Sequence, residues 1–129
     1  MKQILLILIV IFAQNIFAQT ENVSAVKSNI IDAKELEVKP DFPGGLSMFY
    51  QFIGRNFNVP ERGENFGKIF VSFIVETDGT LSNISIMRGI NPKMNQEAIR
   101  VMKLSPNWNP GKIGDKAVRV QYSIPISIN

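Results

Sequence analysis

Residues 68–88 read KIFVSFIVETDGTLSNISIMR and decide the fold of this chain. Every second residue from Ile69 to Val75 is apolar, which is the two-residue period of a strand with one buried face. Asp78-Gly79 then separates this run from a second β-rich run, and Asp-Gly in that position predicts a hairpin because glycine accepts the positive φ of a tight turn. A lone hairpin is only marginally stable in water, so the remaining chain must supply a third strand and a cover for the apolar face.

Two stretches with helical spacing flank the predicted hairpin. Apolar residues recur from Leu46 to Phe57, and we expect this helix to end before Val59-Pro60, since proline disfavours helix at the preceding residue. A second helix is expected after the hairpin, with Asn91 or Asn95 as its N-terminal cap. Both helices are available to cover the hairpin.

The longest alternation of apolar and polar residues lies at 118–128 and predicts the last strand. The order helix, strand, strand, helix, strand predicts an α+β fold in which one three-stranded antiparallel sheet carries two helices packed on one face. Pro125 cannot donate to a ladder, so we place the last strand at the edge of the sheet, beside the first strand.

The N-terminal region reads as three parts. Residues 1–18 combine Lys2 with a ten-residue apolar run from Ile4 to Ala13, a pattern typical of a signal peptide cleaved before Gln19. The alternative is an uncleaved membrane anchor, although a spanning helix needs about 20 apolar residues. We interpret residues 19–39 as a flexible linker and residues 40–129 as the folded domain. Cleavage would export the domain, and an uncleaved segment would anchor it to a membrane.

Composition excludes several classes of function. The 129 residues carry a net charge of +3, which is too small to predict a nucleic-acid or anionic-membrane partner. The chain contains no histidine and no cysteine, so the commonest general base and the commonest metal ligands are missing. No catalytic constellation, metal site or cofactor motif is present, and we predict a protein that is not an enzyme.

The predicted edge strand is the feature most suggestive of function. An edge presents unpaired N–H and C=O groups, and an extended peptide can add to it as another strand, which is β-augmentation. Trp108 has two readings, a core aromatic or a partner-contact residue, because tryptophan is enriched in interface hot spots. Arg119 is either a solvated strand residue or the pair of a partner carboxylate.

The motifs together resemble the TonB C-terminal domain, in the form found in Bacteroidetes-type bacteria. They are PDFPGG at 40–45, Val59-Pro60, the strand from Gly67 with Asp78-Gly79, WNPGK at 108–112, and the last strand with Pro125. The resemblance covers about Pro40 to Ile128. It implies a periplasmic domain whose last strand grips a short peptide, the TonB box, of outer-membrane receptors.

The resemblance also implies where partners bind. The expected partner-binding residues are Asn58, Val59, Pro60, Trp108, Arg119, Val120, Gln121, Tyr122, Ser123 and Ile124. A binding module linked to TonB-dependent transport is the first hypothesis, and a homodimer through the edge is compatible with it. A membrane-anchored energy transducer and a non-transport interaction domain remain alternatives. Full transducers of this family carry a membrane helix with a histidine and a long Pro-rich spacer, so we do not expect this chain to couple to ExbB–ExbD.

Overall fold

The computed structural model describes residues 30–61 and 63–129. The predicted signal peptide, 1–18, and the first part of the predicted linker, 19–29, lie outside the described residues. Six strands and two helices follow along the chain: β1 Ile30–Asp32, α1 Leu46–Asn56, β2 Gly67–Val75, β3 Leu81–Arg88, α2 Pro92–Lys103, β4 Lys112–Ile113, β5 Lys116–Ala117 and β6 Arg119–Ile128. A single 3-10 turn, Ala33–Glu35, follows β1.

The predicted hairpin forms β2 and β3. Gly79 lies in its turn with φ of 88°, a region that favours glycine. The backbone N–H of Gly79 donates to the carbonyl of Glu76 at 2.9 Å, and the N–H of Glu76 donates to the carbonyl of Thr80 at 2.8 Å. The Asp78 carboxylate accepts from the backbone N–H of Thr80 at 3.0 Å and thereby holds the turn.

The main sheet has the strand order β1-β6-β2-β3. β2 pairs antiparallel with both β3 and β6, and the register with β6 runs without interruption from Gly67–Ile128 to Val75–Val120. The predicted α+β fold with a three-stranded antiparallel core and two helices on one face is confirmed. A fourth strand, β1, adds to this sheet in parallel, and β4 and β5 form a separate small hairpin.

Residues 30–38 correct two expectations, and the first concerns β1. Its residues pair with Arg119, Val120 and Gln121, so β6 is an inner strand along its first three residues and lies at the edge only from Tyr122 to Ile128. The second half of the predicted linker is also part of the fold. Leu36 is 8% exposed, and Val38 forms an isolated antiparallel bridge to Lys112. A strand of three residues carries too little periodicity to be read from sequence.

Both helices pack against the same face of the sheet. α1 buries Phe49 and Ile53, and α2 buries four side chains, on one cluster with the inward residues of β2 and β6. The buried members of this main core are Phe42, Phe49, Ile53, Ile69, Val71, Phe73, Val75, Met94, Ala98, Val101, Met102, Trp108, Ile124, Ile126 and Ile128. The arrangement leaves β6 with one side paired to β2 and the other side turned outward.

Candidate partner edge on the last strand

The outer edge of β6 is the side of β6 that faces away from β2. Its direction follows from Pro125, which is in register with Phe70 but has no N–H to give to the ladder. In an antiparallel pair, the N–H and C=O of one residue point to the same side, so the Pro125 carbonyl also points outward. The residues at the same parity, Arg119, Gln121, Ser123 and Ser127, therefore turn their backbone groups to the outer edge.

Two parts of the chain already cover this edge. β1 lies along Arg119–Gln121 as a parallel strand. Farther along, the hydroxyl of Tyr50 on α1 donates to the Pro125 carbonyl at 3.1 Å. Between and beyond these two contacts, the backbone groups of Ser123 and Ser127 face outward, and on that side no strand of residues 30–61 or 63–129 lies beside them.

A second apolar cluster underlies the covered end of the edge. Ala33, Leu36 and Val120 are its buried members, and Ile31, Val118 and Tyr122 pack against it. Ile31 is the residue of β1 that is in register with Val120, whereas its neighbours Ile30 and Asp32 are exposed. The cluster therefore forms an apolar contact surface for one side chain of a strand that pairs with this edge.

The first residue of the edge is held by an ion pair. The guanidinium of Arg119 donates from Nε to Glu76 Oε1 at 2.6 Å and from Nη2 to Oε2 at 3.2 Å. This bond, together with the Ser82 hydroxyl at 2.6 Å, lowers the pKa of Glu76 below its ordinary value of 4.5. The Arg119 side chain is 35% exposed, and its guanidinium pairs with a carboxylate of this chain.

Trp108 lies behind the edge rather than on it. Its side chain is 2% exposed, and its indole N–H donates to Ser105 Oγ at 2.9 Å. The ring packs against Tyr122 of β6, with centroids 5.8 Å apart. This burial supports the core interpretation. A strand on the outer edge would be separated from the Trp108 indole by Tyr122 and would not contact the indole directly.

Asn58, Val59 and Pro60 lie at the other end of the sheet. The carbonyl of Pro60 accepts from Asn65, which is close in sequence to the first residue of β2, and that residue is in register with Ile128 at the end of β6. The backbone N–H of Asn58 donates to Glu97 Oε2 at 2.6 Å. The structure thus turns the backbone groups of Arg119, Gln121 and Ser123 to the outer edge, whereas those of Val120, Tyr122 and Ile124 face β2 and the side chains of Val120 and Ile124 are buried. Residues 58–60 do not lie at the same end.

Sequence reasoning missed two contributors to the site. Tyr50 lies in the apolar stripe predicted for the first helix. Its hydroxyl contacts Pro125, which is 75 residues away in sequence. Ile31 belonged to the predicted linker. The available signal was the apolar spacing of Ile30-Ile31 and Leu36, which was too sparse to separate from a solvated segment.

The opposite edge of the sheet, formed by β3, is less suited to a partner strand. The pairing of β2 with β3 shifts register between Phe70 and Val71 and again between Ser72 and Ile74. Asn83 on β3 has φ of 49°, the only positive φ of a non-glycine residue within 30–61 and 63–129. Such irregularities blunt an edge against pairing. The uninterrupted register of β6 makes its outer edge the better acceptor.

The fold and this edge define a small α+β domain with backbone groups available for pairing. The family model of the Gram-negative bacterial TonB protein C-terminal matches residues 61–128, more than half of the chain. The chain therefore belongs to this family. Its members are non-enzymatic domains of TonB-dependent transport that interact with outer-membrane receptors. Comparisons with curated proteins and with solved structures gave no significant match.

TonB-like domains are periplasmic or membrane-anchored. Neither α1 nor α2, nor any other helix in the described part of the chain, has the length and hydrophobicity to cross a bilayer. The same part of the chain holds no group of three acidic side chains, histidines or cysteines that could bind a metal ion.

Proposed function

We propose that this chain is a TonB-like binding module that engages a short extended segment of an outer-membrane receptor, of the TonB-box type, by β-augmentation on the outer edge of β6. One observation carries the proposal: β6 already accepts a strand on this edge, since β1 pairs with it in parallel. The edge is thus flat enough, and its backbone groups are directed well enough, to form a ladder with a strand outside the antiparallel core.

The backbone of β6 sets limits on the partner. A strand on the outer edge can use the N–H and C=O groups of Ser123, and those of Gln121 once β1 is displaced. At Pro125 it finds no donor and a carbonyl that already accepts from Tyr50. Each backbone hydrogen bond contributes about 0.5–1.5 kcal/mol net. A ladder of a few residues therefore supports weak, reversible binding, with a dissociation constant of roughly micromolar order.

The sharpest test changes one outward N–H. Ser123→Pro removes the donor at the centre of the edge while leaving the β2 ladder intact, since the backbone groups of Ser123 face away from β2. Ser123→Ala is the matched control because it keeps the N–H and loses only the hydroxyl. We expect Ser123→Pro to abolish calorimetric binding of synthetic peptides from receptor N-termini, and Ser123→Ala to retain it.

Both variants must show the circular dichroism of the wild type, so that a loss of binding is assigned to the missing N–H and not to unfolding. Equal binding of a receptor peptide by Ser123→Pro and Ser123→Ala would contradict β-augmentation at this edge. Self-association through the edge would appear instead as a mass that rises with protein concentration in sedimentation and falls in Ser123→Pro.

The alternative is a membrane-anchored energy transducer, which differs in the state of residues 1–18. We propose the exported, cleaved module because the apolar run of that segment is short for a span. Intact-mass spectrometry of cell-envelope fractions decides between them. A soluble species beginning at Gln19 is expected, and a membrane species that retains Met1 would favour the transducer.

A further inference from the structure

The segment that covers the partner edge belongs to the chain itself. β1 pairs with β6 over three residues, Ile30 to Asp32, whereas β2 pairs with β6 from Gly67 to Val75. The ladder that holds β1 is therefore much shorter than the ladder that holds the core of the sheet. β1 is also at the margin of the sheet, and no strand within residues 30–61 and 63–129 pairs with its other side.

Within β1, Ile31 is the side chain that packs on the second apolar cluster, and the buried Ala33 and Leu36 separately hold the segment that follows β1. Ile31 packs against the small cluster of Ala33, Leu36 and Val120, while Ile30 is 36% exposed. Neither Ile31 nor the buried members of that cluster belong to the main core beneath the helices. Release of β1 would consequently uncover the first part of the edge and leave the packing of α1, α2 and the three-stranded core in place.

We propose that Ile30–Asp32 is an internal plug, a resident strand that an extended partner must displace before it can pair along the start of β6. The inference rests on the proposed function of the outer edge. A tethered competitor acts at an effective concentration of about millimolar order. The apparent affinity of an external strand is its intrinsic affinity multiplied by the fraction of molecules in which the edge is uncovered. Withdrawal of residues 30–32 would raise that affinity.

The first test uses the chain's own segment as the probe, a synthetic peptide of residues 30–37, IIDAKELE. Ile31→Asn removes the anchoring side chain and should release β1. Ile30→Asn is the matched control, since it makes the same change at the exposed neighbour. We expect calorimetry to show about tenfold or greater tightening of peptide binding in Ile31→Asn relative to wild type, with Ile30→Asn close to wild type. Equal affinities in all three proteins would overturn the proposal.

The second test links β1 covalently to β6. Asp32 and Gln121 lie directly opposite each other in the β1–β6 register, and both are exposed. Neighbouring strands are about 4.8 Å apart, which suits a disulfide, and the natural chain has no cysteine to interfere. In the double variant Asp32→Cys/Gln121→Cys, the oxidised form should lose peptide binding and the same protein after reduction should recover it. Binding that does not respond to reduction would overturn the plug.

Receptor peptides measured on the same proteins separate this proposal from the proposed function. Equal binding of a receptor peptide by the oxidised and reduced forms would overturn the plug and leave the binding function standing. Absence of receptor-peptide binding in every form, with the 30–37 peptide still entering Ile31→Asn, would overturn the function and leave the plug. Circular dichroism of Ile31→Asn must match wild type, because the main core does not include Ile31.

Discussion

At the scale of single residues, Trp108 connects the aromatic part of the core. Its ring contacts Phe42, Phe49, Phe73 and Tyr122, with centroids between 5.2 and 5.8 Å. Trp108→Ala would leave a large cavity, and we expect the free energy of unfolding to fall by about 3–5 kcal/mol. Urea unfolding measures this loss. Trp108→Phe refills part of the space and should lose less, and a loss under about 1 kcal/mol for the alanine variant would contradict the buried site.

Gly79 brings the hairpin turn against the backbone of Trp108. The backbone N–H of Trp108 donates to the Gly79 carbonyl at 2.8 Å, and a Cβ on Gly79 would lie 2.1 Å from the Trp108 carbonyl oxygen. Gly79→Ala must therefore separate the turn from the Trp108 loop, and we expect a loss of more than about 2 kcal/mol.

Gly114→Ala is the control for that substitution. Its φ of 60° is also positive, but no atom lies within 4 Å of the added Cβ. It should cost only the backbone strain of about 1–2 kcal/mol. If thermal or urea unfolding showed equal losses for the two variants, the close approach between Gly79 and Trp108 would not matter for stability.

At the scale of elements, the N-terminus of α2 is fixed by one side chain. Asn91 Oδ1 accepts from the backbone N–H of Met94 at 2.9 Å, and Asn91 Nδ2 donates to the Glu64 carbonyl at 3.0 Å. Asn91 Nδ2 also donates to Asn65 Oδ1 at 3.1 Å. Asn91→Ala removes all three contacts and should lower stability by about 1–2 kcal/mol in urea unfolding. Asn91→Asp keeps the cap acceptor and loses the donor, so its loss should be smaller. The reverse order would show that the loop contact, not the cap, holds the helix.

Elements with local signals were predictable and elements with distant partners were not. The hairpin was read from Asp78-Gly79, and α2 from Asn91 and Pro92, because turns and caps act within a few residues of sequence. β1 depends on Arg119–Gln121, almost ninety residues later, and has too few residues to show a period. Tyr50 and Pro125 are 75 residues apart in sequence, so their contact has no local signal either. The partial cover of the β6 edge could therefore not be predicted from the sequence of β6.

At the scale of the whole molecule, one ion pair links the end of β2 to the start of β6. In the folded chain the pKa of Glu76 is lowered, and the hydrogen bond from Arg119 is the largest cause. A lowered pKa stabilises the folded chain above the ordinary value of 4.5, and this contribution is lost as the pH falls through the folded-state pKa. Stability should therefore decline on acidification more steeply in wild type than in Glu76→Gln.

Urea unfolding at pH 7 and pH 3 tests this difference. The gap in unfolding free energy between wild type and Glu76→Gln should narrow at the lower pH, because the protonated carboxyl resembles the amide. A gap that stays constant between the two pH values would show that the ion pair does not contribute to folding. Arg119→Lys is a useful companion, since it keeps the charge but not the two-pronged geometry.

The position of Trp108 gives this chain a built-in optical reporter. It is the only tryptophan among the 129 residues, and its ring lies against Tyr122, which in turn packs on the cluster under β1. Indole emission responds to the polarity and motion of its surroundings. Release of β1 from the edge of β6 should therefore change the emission wavelength and intensity of Trp108, and the change can be followed in unlabelled protein.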